Sequence, residues 1–271
     1  MNLNIVVLAK QVPDTRNVGP DAMTAEGTVN RSALPAIFNP EDLNALEQAL
    51  RLKDRFPNTH ITVLTMGPDR ASEVIREAMY RGADQGFLLT DRAFAGADTL
   101  ATSYALAQAI RFLQPDVNLI LGGRQAIDGD TAQVGPQVAE KLGMNQITYS
   151  EEIIEFLPDA PQPVITVKRH IDGGVEIVQS PLPCLLTVNG SAAPCRPKNV
   201  KRLFRYKKYE VPRICCADIQ ADLQQCGMAG SPTKVKAVEN IVFRAKESRT
   251  ITGSDEDIRA LIKELKQSKT I

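Results

Sequence analysis

Four short runs of β-branched and aliphatic residues, at 5–9, 61–66, 87–89 and 119–122, alternate with stretches of helical periodicity. Sustained over the first 145 residues, this alternation commits the chain to βαβ units and a parallel sheet. The segment Pro40–Arg55 reads as a helix, with Asn39 at its N-cap and Pro40 in its first turn. Glu41 and Asp42 favour its positive end, and Leu43, Leu46, Ala49 and Leu50 make one face. Further helices fit 70–81, 98–113 and 131–142, the last stopped by Gly143. The expected fold class is α/β, a doubly wound parallel sheet. Such sheets take ligands beyond the carboxyl ends of their strands, so the loops to search follow Ala9, Met66, Leu89 and Gly122.

Past residue 150 the pattern changes. Runs at 163–170, 174–179 and 184–188 are separated by Asp172-Gly173-Gly174 and Pro181-Leu182-Pro183, which read as hairpin turns rather than crossovers. A small antiparallel extension is expected there. Residues 194–209 are rich in lysine, arginine and proline with little periodicity, and a last helix is expected over 255–267 with Ser254 as its cap. The expected division is an α/β domain with its extension over 1–190 and a loop plus C-terminal arm over 191–271.

Charge and composition exclude several functions. Lysine and arginine number 32, as do aspartate and glutamate, so no overall field draws in nucleic acid or an anionic membrane. The basic stretch Arg202, Arg205, Lys207 and Lys208 therefore reads as a solvated or subunit-facing surface. No apolar run reaches the ~18–20 residues of a membrane span, and the start lacks a basic leader. The five cysteines show no metal-ligand spacing, which points to reduced thiols, a cytoplasmic location and no metal site. His60 and His170 have no triad partners in sequence, and Cys184 reads as a small buried hydrophobe.

The most informative stretch runs from Gly122 and Gly123 through Arg124, Gln125, Ala126, Ile127, Asp128, Gly129, Asp130, Thr131, Ala132, Gln133 and Val134 to Gly135. Two glycines end a strand, and small and hydroxyl residues open a helix whose first turn offers free N–H donors. That arrangement suits a phosphate, to which the helix dipole adds roughly 0.3–2 kcal/mol. It equally suits a plain turn and helix cap, and neither a Rossmann fingerprint nor a P-loop is present. Asn39, Pro40, Glu41 and Asp42 likewise admit a capping and a ligand reading. Thr99 and Thr102 lie on one helix face behind a capping Asp98, placed either to hold a ligand or to bond back to their own helix. Met66 and Gly67 end a strand in a glycine turn, where Met66 also serves as core filler.

Four stretches in this order resemble the β subunit of electron-transfer flavoproteins across nearly the whole chain. They are Ala9-Lys10-Gln11-Val12-Pro13-Asp14-Thr15, Asn39-Pro40, Met66-Gly67-Pro68 and Arg124 to Gly135. Asp128-Gly129-Asp130-Thr131 and Arg92, Phe94 and Gly96 resemble the bifurcating and nitrogen-fixation-type branch. The resemblance implies an adenine-nucleotide-binding sheet and a heterodimer with an FAD-bearing α subunit, on which the C-terminal arm packs. It implies a second FAD in this chain, reduced by NADH, whose electrons are divided between two routes. One leads to the α-subunit FAD and a partner flavin dehydrogenase, and the other to ferredoxin or flavodoxin. The alternative within the family is an electron shuttle holding AMP; outside it, the same core serves adenine-nucleotide-binding regulatory modules.

Carried over by resemblance, Leu8 and Ala9 line the adenine pocket with Asn39 to Asp42, Met66 and Gly67 beside it. The run Arg124 to Gly135, with Gly123 before it, then wraps ribose and phosphates, and Thr99 and Thr102 bind the flavin. Glu41 replaces the aromatic residue usual after Asn-Pro in the family. The loop by which relatives recognise acyl-CoA dehydrogenases corresponds to Ser191, Pro194, Arg196, Lys198, Val200 and Leu203. Its centre is polar here, which leaves Val200 or Leu203 as the apolar anchor and the dehydrogenase open.

Overall fold

The computed structural model describes residues 2–14, 35–233 and 250–268. Residues 2–14 and 35–233 belong to one compact unit and 250–268 to a second. Thr15 of the opening motif and residues 234–249 and 269–271 of the C-terminal arm lie outside the described residues.

The expected alternation forms in the first unit. Strands β1 (Leu3–Leu8), β4 (Thr59–Met66), β5 (Gln85–Leu89) and β6 (Leu119–Gly123) alternate with helices α1 (Pro40–Arg55), α2 (Ser72–Arg81) and α3 (Thr99–Leu113). A short antiparallel ribbon, β2 (Gln11–Pro13) with β3 (Ala36–Phe38), follows β1. Then come α4 (Val134–Leu142), β7 (Asn145–Leu157), β8 (Val164–Ile171), β9 (Gly174–Pro181), β10 (Cys184–Val188), α5 (Val200–Tyr206) and β11 (Arg213–Ile214). The nine-stranded sheet has the order β11-β5-β4-β1-β6-β10-β7-β8-β9 and is parallel except at β8 and β9.

Alternation along the central strand divides the core. Ile5 and Val7 pack with α1 and α2, while Val6 and Leu8 face α3 and α4. From β1 the chain leaves through α1 on one face towards β4; from β6 it leaves through α4 on the other face towards β7. The carboxyl ends of β1 and β6 are therefore the point where the winding reverses, which is where doubly wound sheets open a crevice.

Three expectations need correction. Cys184–Val188 is not the third strand of a hairpin: only Asp172-Gly173 makes a tight turn, closing Ile171 on Gly174. β10 instead enters the main sheet parallel to both β6 and β7. All five of its residues are buried, as suits a strand covered on both faces, so its run of apolar residues without polar alternation, broken only by Thr187, is the readable signal. The second is an omission: no strand is expected over β7, whose buried residues Ile147, Ser150, Ile153 and Phe156 recur every third position. Register shifts near Ser150/Glu152 and Ile153/Glu155, and the left-handed Tyr149 at φ +57°, displace the two-residue alternation that marks a strand. The third is the basic segment after residue 194, which contains α5, begun by Asn199 whose side chain accepts the amide of Arg202 at 3.1 Å.

In the second unit α6 (Asp255–Gln267) forms as expected, and Ser254 Oγ accepts the Asp257 amide at 3.3 Å. Ile258 and Ile262 are exposed and, with Leu261 and Leu265, form one apolar stripe.

Candidate functional site

At the reversal point lies a cleft of about 430 Å³, within the range of small-molecule sites. The end of β1 contributes Leu8, Ala9 and Lys10, β4 contributes Leu64 and Met66, and β6 contributes Gly122 and Gly123. The start of α3 with its preceding turn adds Phe94, Gly96, Ala97, Asp98, Thr99, Thr102 and Leu106. The facing lip is Arg124, Gln125, Ala126, Gly129, Asp130, Thr131, Ala132 and Gln133, followed by Val134 and Gly135 of α4.

Of the residues expected here, Asn39, Pro40, Glu41, Gly67, Ile127 and Asp128 do not line the cleft. Two of them, Asn39 and Glu41, hold it together with Asp42. Asn39 is the N-cap of α1 by position only, because its side chain donates to Gln125 O at 2.9 Å and accepts from Ile127 N at 3.2 Å. Glu41 Oε2 accepts the Gln125 amide at 2.9 Å while Oε1 pairs with Arg124 at 3.2 Å. Asp42, which does reach the cleft, bridges the two strand ends, with Oδ2 on the Lys10 amide at 2.8 Å and Oδ1 on the Gly123 amide at 2.9 Å. Capping thus explains where these residues sit but not what their side chains do. Burial pushes the Asp42 carboxyl up to about 7, against the bonds from Asn39, Lys10 and Gly123 that favour its charged form.

Gly123 is required by this arrangement. A Cβ there would stand 2.5 Å from Asp42 Oδ1 and 2.8 Å from the Glu41 backbone. Arg124 is fastened at its root by its amide on Val188 O at 2.8 Å, and its guanidinium lies 5.5 Å from the Tyr149 ring centroid. Partial burial works against its charge, but hydrogen bonds to Tyr149 and Glu41 hold it above its usual value.

The loop then departs from the expected helix over 131–142. Asp130 and Ala132 adopt left-handed backbone, at φ +50° and +54°, and α4 starts only at Val134. No side chain caps that helix, so first-turn amides of Val134 and Gly135 are left uncapped beside the cleft. Gly129 faces open space: a Cβ would meet no atom within 4 Å.

The α3 side is bound to this lip by side chains. Thr99 Oγ1 lies 2.8 Å from Gln133 Oε1, and Ser103 Oγ lies 3.0 Å from Gln137 Oε1. Thr99 therefore reaches across to α4 rather than back to its own helix. Asp98 caps α3 as expected, accepting from Leu100 at 2.9 Å and Ala101 at 3.1 Å. Lys10, Leu64, Ala97 and Leu106 were not foreseen as lining residues. Leu64 and Leu106 carry no signal beyond core hydrophobicity, whereas Lys10 directly follows the first strand and was open to notice.

The six residues expected at a recognition loop lie elsewhere, around α1 and α2. Arg196 binds Glu47 at 3.0 Å and Asp54 at 2.8 Å, and Lys198 pairs with Glu77 at 3.1 Å. Ser191 Oγ donates to Glu151 at 2.7 Å, and Pro194 is exposed. Leu203 is half-buried, while Val200 is 68% and Phe204 75% exposed, one turn apart on α5. Phe204 was not expected in this role. Among the described residues no group of three histidine, cysteine, aspartate or glutamate side chains could hold a metal ion, and no helix is long and apolar enough to cross a membrane.

Comparison with known proteins agrees with this architecture. The electron transfer flavoprotein domain matches residues 26–211. The electron transfer flavoprotein subunit beta of Clostridium acetobutylicum is 45% identical over 234 residues, 86% of each chain. Protein FixA of Bradyrhizobium diazoefficiens is 42% identical over 95% of this chain and 89% of its own. CarD, the caffeyl-CoA reductase-Etf complex subunit of Acetobacterium woodii, is 41% identical over 99% of this chain and 100% of its own. With its reversal-point cleft and these relatives, the chain belongs to the electron transfer flavoprotein family, among the β subunits and the FixA and CarD proteins.

Proposed function

We propose that this chain is the β subunit of a heterodimeric, cytoplasmic electron-transfer flavoprotein that holds FAD in the reversal-point cleft. It takes electrons from NADH and divides them between the α subunit, with its partner dehydrogenase, and ferredoxin or flavodoxin. The observation that carries the reading is the open backbone at Gly129, followed along the lip by two left-handed residues and the uncapped start of α4. A diphosphate needs such room and such amide donors. Residues Leu8, Leu64, Met66 and Leu106 offer an apolar wall suited to an adenine ring, and Thr99 and Gln133 offer polar groups beside it. When bound, FAD supplies acceptance of a hydride and onward delivery of single electrons. The chain's own residues bind and orient: Asp42 and Glu41 hold the loop amides in place, and Asp98 fixes the start of α3.

Two surfaces support the partners. Val200 and Phe204 project from α5 as an apolar pair suited to docking a dehydrogenase, and Ser191, Pro194, Arg196, Lys198 and Leu203 belong to the same stretch of chain. CarD's name associates that relative with a caffeyl-CoA reductase, which favours a partner acting on acyl-CoA compounds. The apolar stripe of α6 suits packing on the α subunit.

The test is cofactor count in the purified heterodimer, with two FAD expected and rapid flavin bleaching by NADH. One FAD with one AMP, and no bleaching, would make the protein a shuttle that holds AMP. Gly129→Asp sharpens the result. The cleft has space for the side chain, so the variant should fold normally yet retain less FAD through repulsion of its phosphates. Unchanged FAD affinity removes Gly129 from the argument.

A further inference from the structure

The cleft lining carries two cations, Lys10 and Arg124, and each is held by a carboxylate that does not itself line the cleft. The two pairs differ in what else depends on them. Glu41 also holds the Gln125 amide, and Arg124 also contacts Tyr149, so that pair is part of the loop's framework. Asp128 has no such second duty. Both its oxygens lie on Lys10 Nζ, at 2.7 and 2.9 Å, and among the described residues no other hydrogen bond to it is found. The other acids at this cleft all hold N–H groups of the protein: Asp42 those of Lys10 and Gly123, Asp98 those of Leu100, Ala101 and Thr233, and Asp130 the amide of Gln125's side chain.

We infer that Lys10 is a phosphate-binding residue of the cleft, and that Asp128 competes with the ligand's phosphates for its ammonium group. The inference rests on the nucleotide reading given above. Asp42 fixes the Lys10 backbone at the end of β1, so the four-carbon side chain pivots from a held root between one lip and the cleft. Its side chain is 48% exposed, and an exposed pair of this kind contributes only about 0–1 kcal/mol. A diphosphate brings two negative charges and several acceptor oxygens to one ammonium, whereas the exposed carboxylate brings a single charge. Exchange therefore favours the ligand, and Asp128 sets how much of that attraction is lost in breaking the pair.

A merely structural pair predicts that losing either partner weakens binding. Competition predicts opposite signs. Titration calorimetry of the full chain with ADP should show Lys10→Met binding about tenfold more weakly and Asp128→Asn about threefold to fivefold more tightly. In the Lys10→Met background, Asp128→Asn should change nothing, because the competitor has lost its object. Unchanged or weaker ADP binding by Asp128→Asn, with the parent chain binding ADP, overturns the competition. Unchanged binding by Lys10→Met overturns the role of Lys10. A parent chain that binds neither ADP nor FAD overturns the nucleotide reading, and the role of Lys10 with it, which is a distinct result from the first two.

Discussion

At the cleft, acidic side chains fasten backbone amides, whereas in the segment leading into α5 basic and amide side chains fasten carbonyls and carboxylates. Asp42 and Glu41 take the N–H groups of Lys10, Gly123 and Gln125. Across α1, Asn44 donates to the carbonyls of Ala192 and Ala193 and Arg196 grips Glu47 and Asp54, while Arg202 donates to Met79 O of α2 at 2.6 Å. In both places the conspicuous charges hold the chain to itself. What each surface offers outward is different: the cleft presents a lysine and an uncapped helix start, α5 an exposed valine and phenylalanine. A list of charged residues is therefore a poor guide to the ligand-facing groups of either region.

The largest effect that would break this comparison comes from filling the space beneath the cleft loop. Gly123→Ala sets a methyl group against Asp42 Oδ1 and the Glu41 backbone, and should cost about 2–3 kcal/mol in chemical denaturation as well as nucleotide binding. A neutral result would mean that the strand-end clamp is soft. Arg196→Ala should destabilise by about 2 kcal/mol, because Glu47 is buried and loses its nearer charged partner, keeping only Arg51 at 3.4 Å. The half-exposed position of Arg196 keeps the loss below that of a fully buried pair. If stability holds and only a partner interaction suffers, Arg196 belongs to the outward surface instead.

Asp42 sharpens the contrast through pH. Its folded value of about 7 lies above the 3.8 of the free side chain, so the folded state holds a proton that the unfolded state releases. Stability from this group is complete below the unfolded value and is lost as pH rises through about 7, with a slope of up to about 1.4 kcal/mol per pH unit. Between about pH 4 and 7, the window set by the two values, the unfolding free energy of the parent minus that of Asp42→Asn should fall; a flat difference would show that the amide donors outweigh burial. The smallest effect on the fold is expected from Phe204→Ala, within about 0.5 kcal/mol. The same change should weaken docking of a partner dehydrogenase in a pull-down or kinetic titration. Should it destabilise the chain instead, the α5 pair is packing surface.

The parallel half of the sheet is legible because its residues obey local rules. Apolar runs at β1, β4, β5 and β6, with turns between them, place each element, and proline and acids mark the start of α1. The family motifs bring the main cleft residues into view before any packing is known. Legibility fails where a neighbour changes the rule. Tyr149 and the bulges of β7 turn a strand into a three-residue repeat, and β10 looks like a hairpin partner although it lies between β6 and β7. Asp130 and Ala132 adopt left-handed backbone without being glycine, so the helix expected from Thr131 begins three residues later.

Local patterns of apolar residues, turns and caps, which need only neighbours a few positions away, settle the α/β class; the four motifs carry the family resemblance, and which strand ends form the reversal point is decided by the strand order. Which carboxylate meets which amide was left to long-range packing. Asp42 and Gly123 are far apart along the chain, as are Lys10 and Asp128, and nothing in short-range periodicity pairs them. Those contacts arise because parallel winding brings the ends of β1 and β6 side by side at the start of α1. There burial makes each N–H costly to leave unpaired, and the nearest oxygen is a side chain from another part of the sequence.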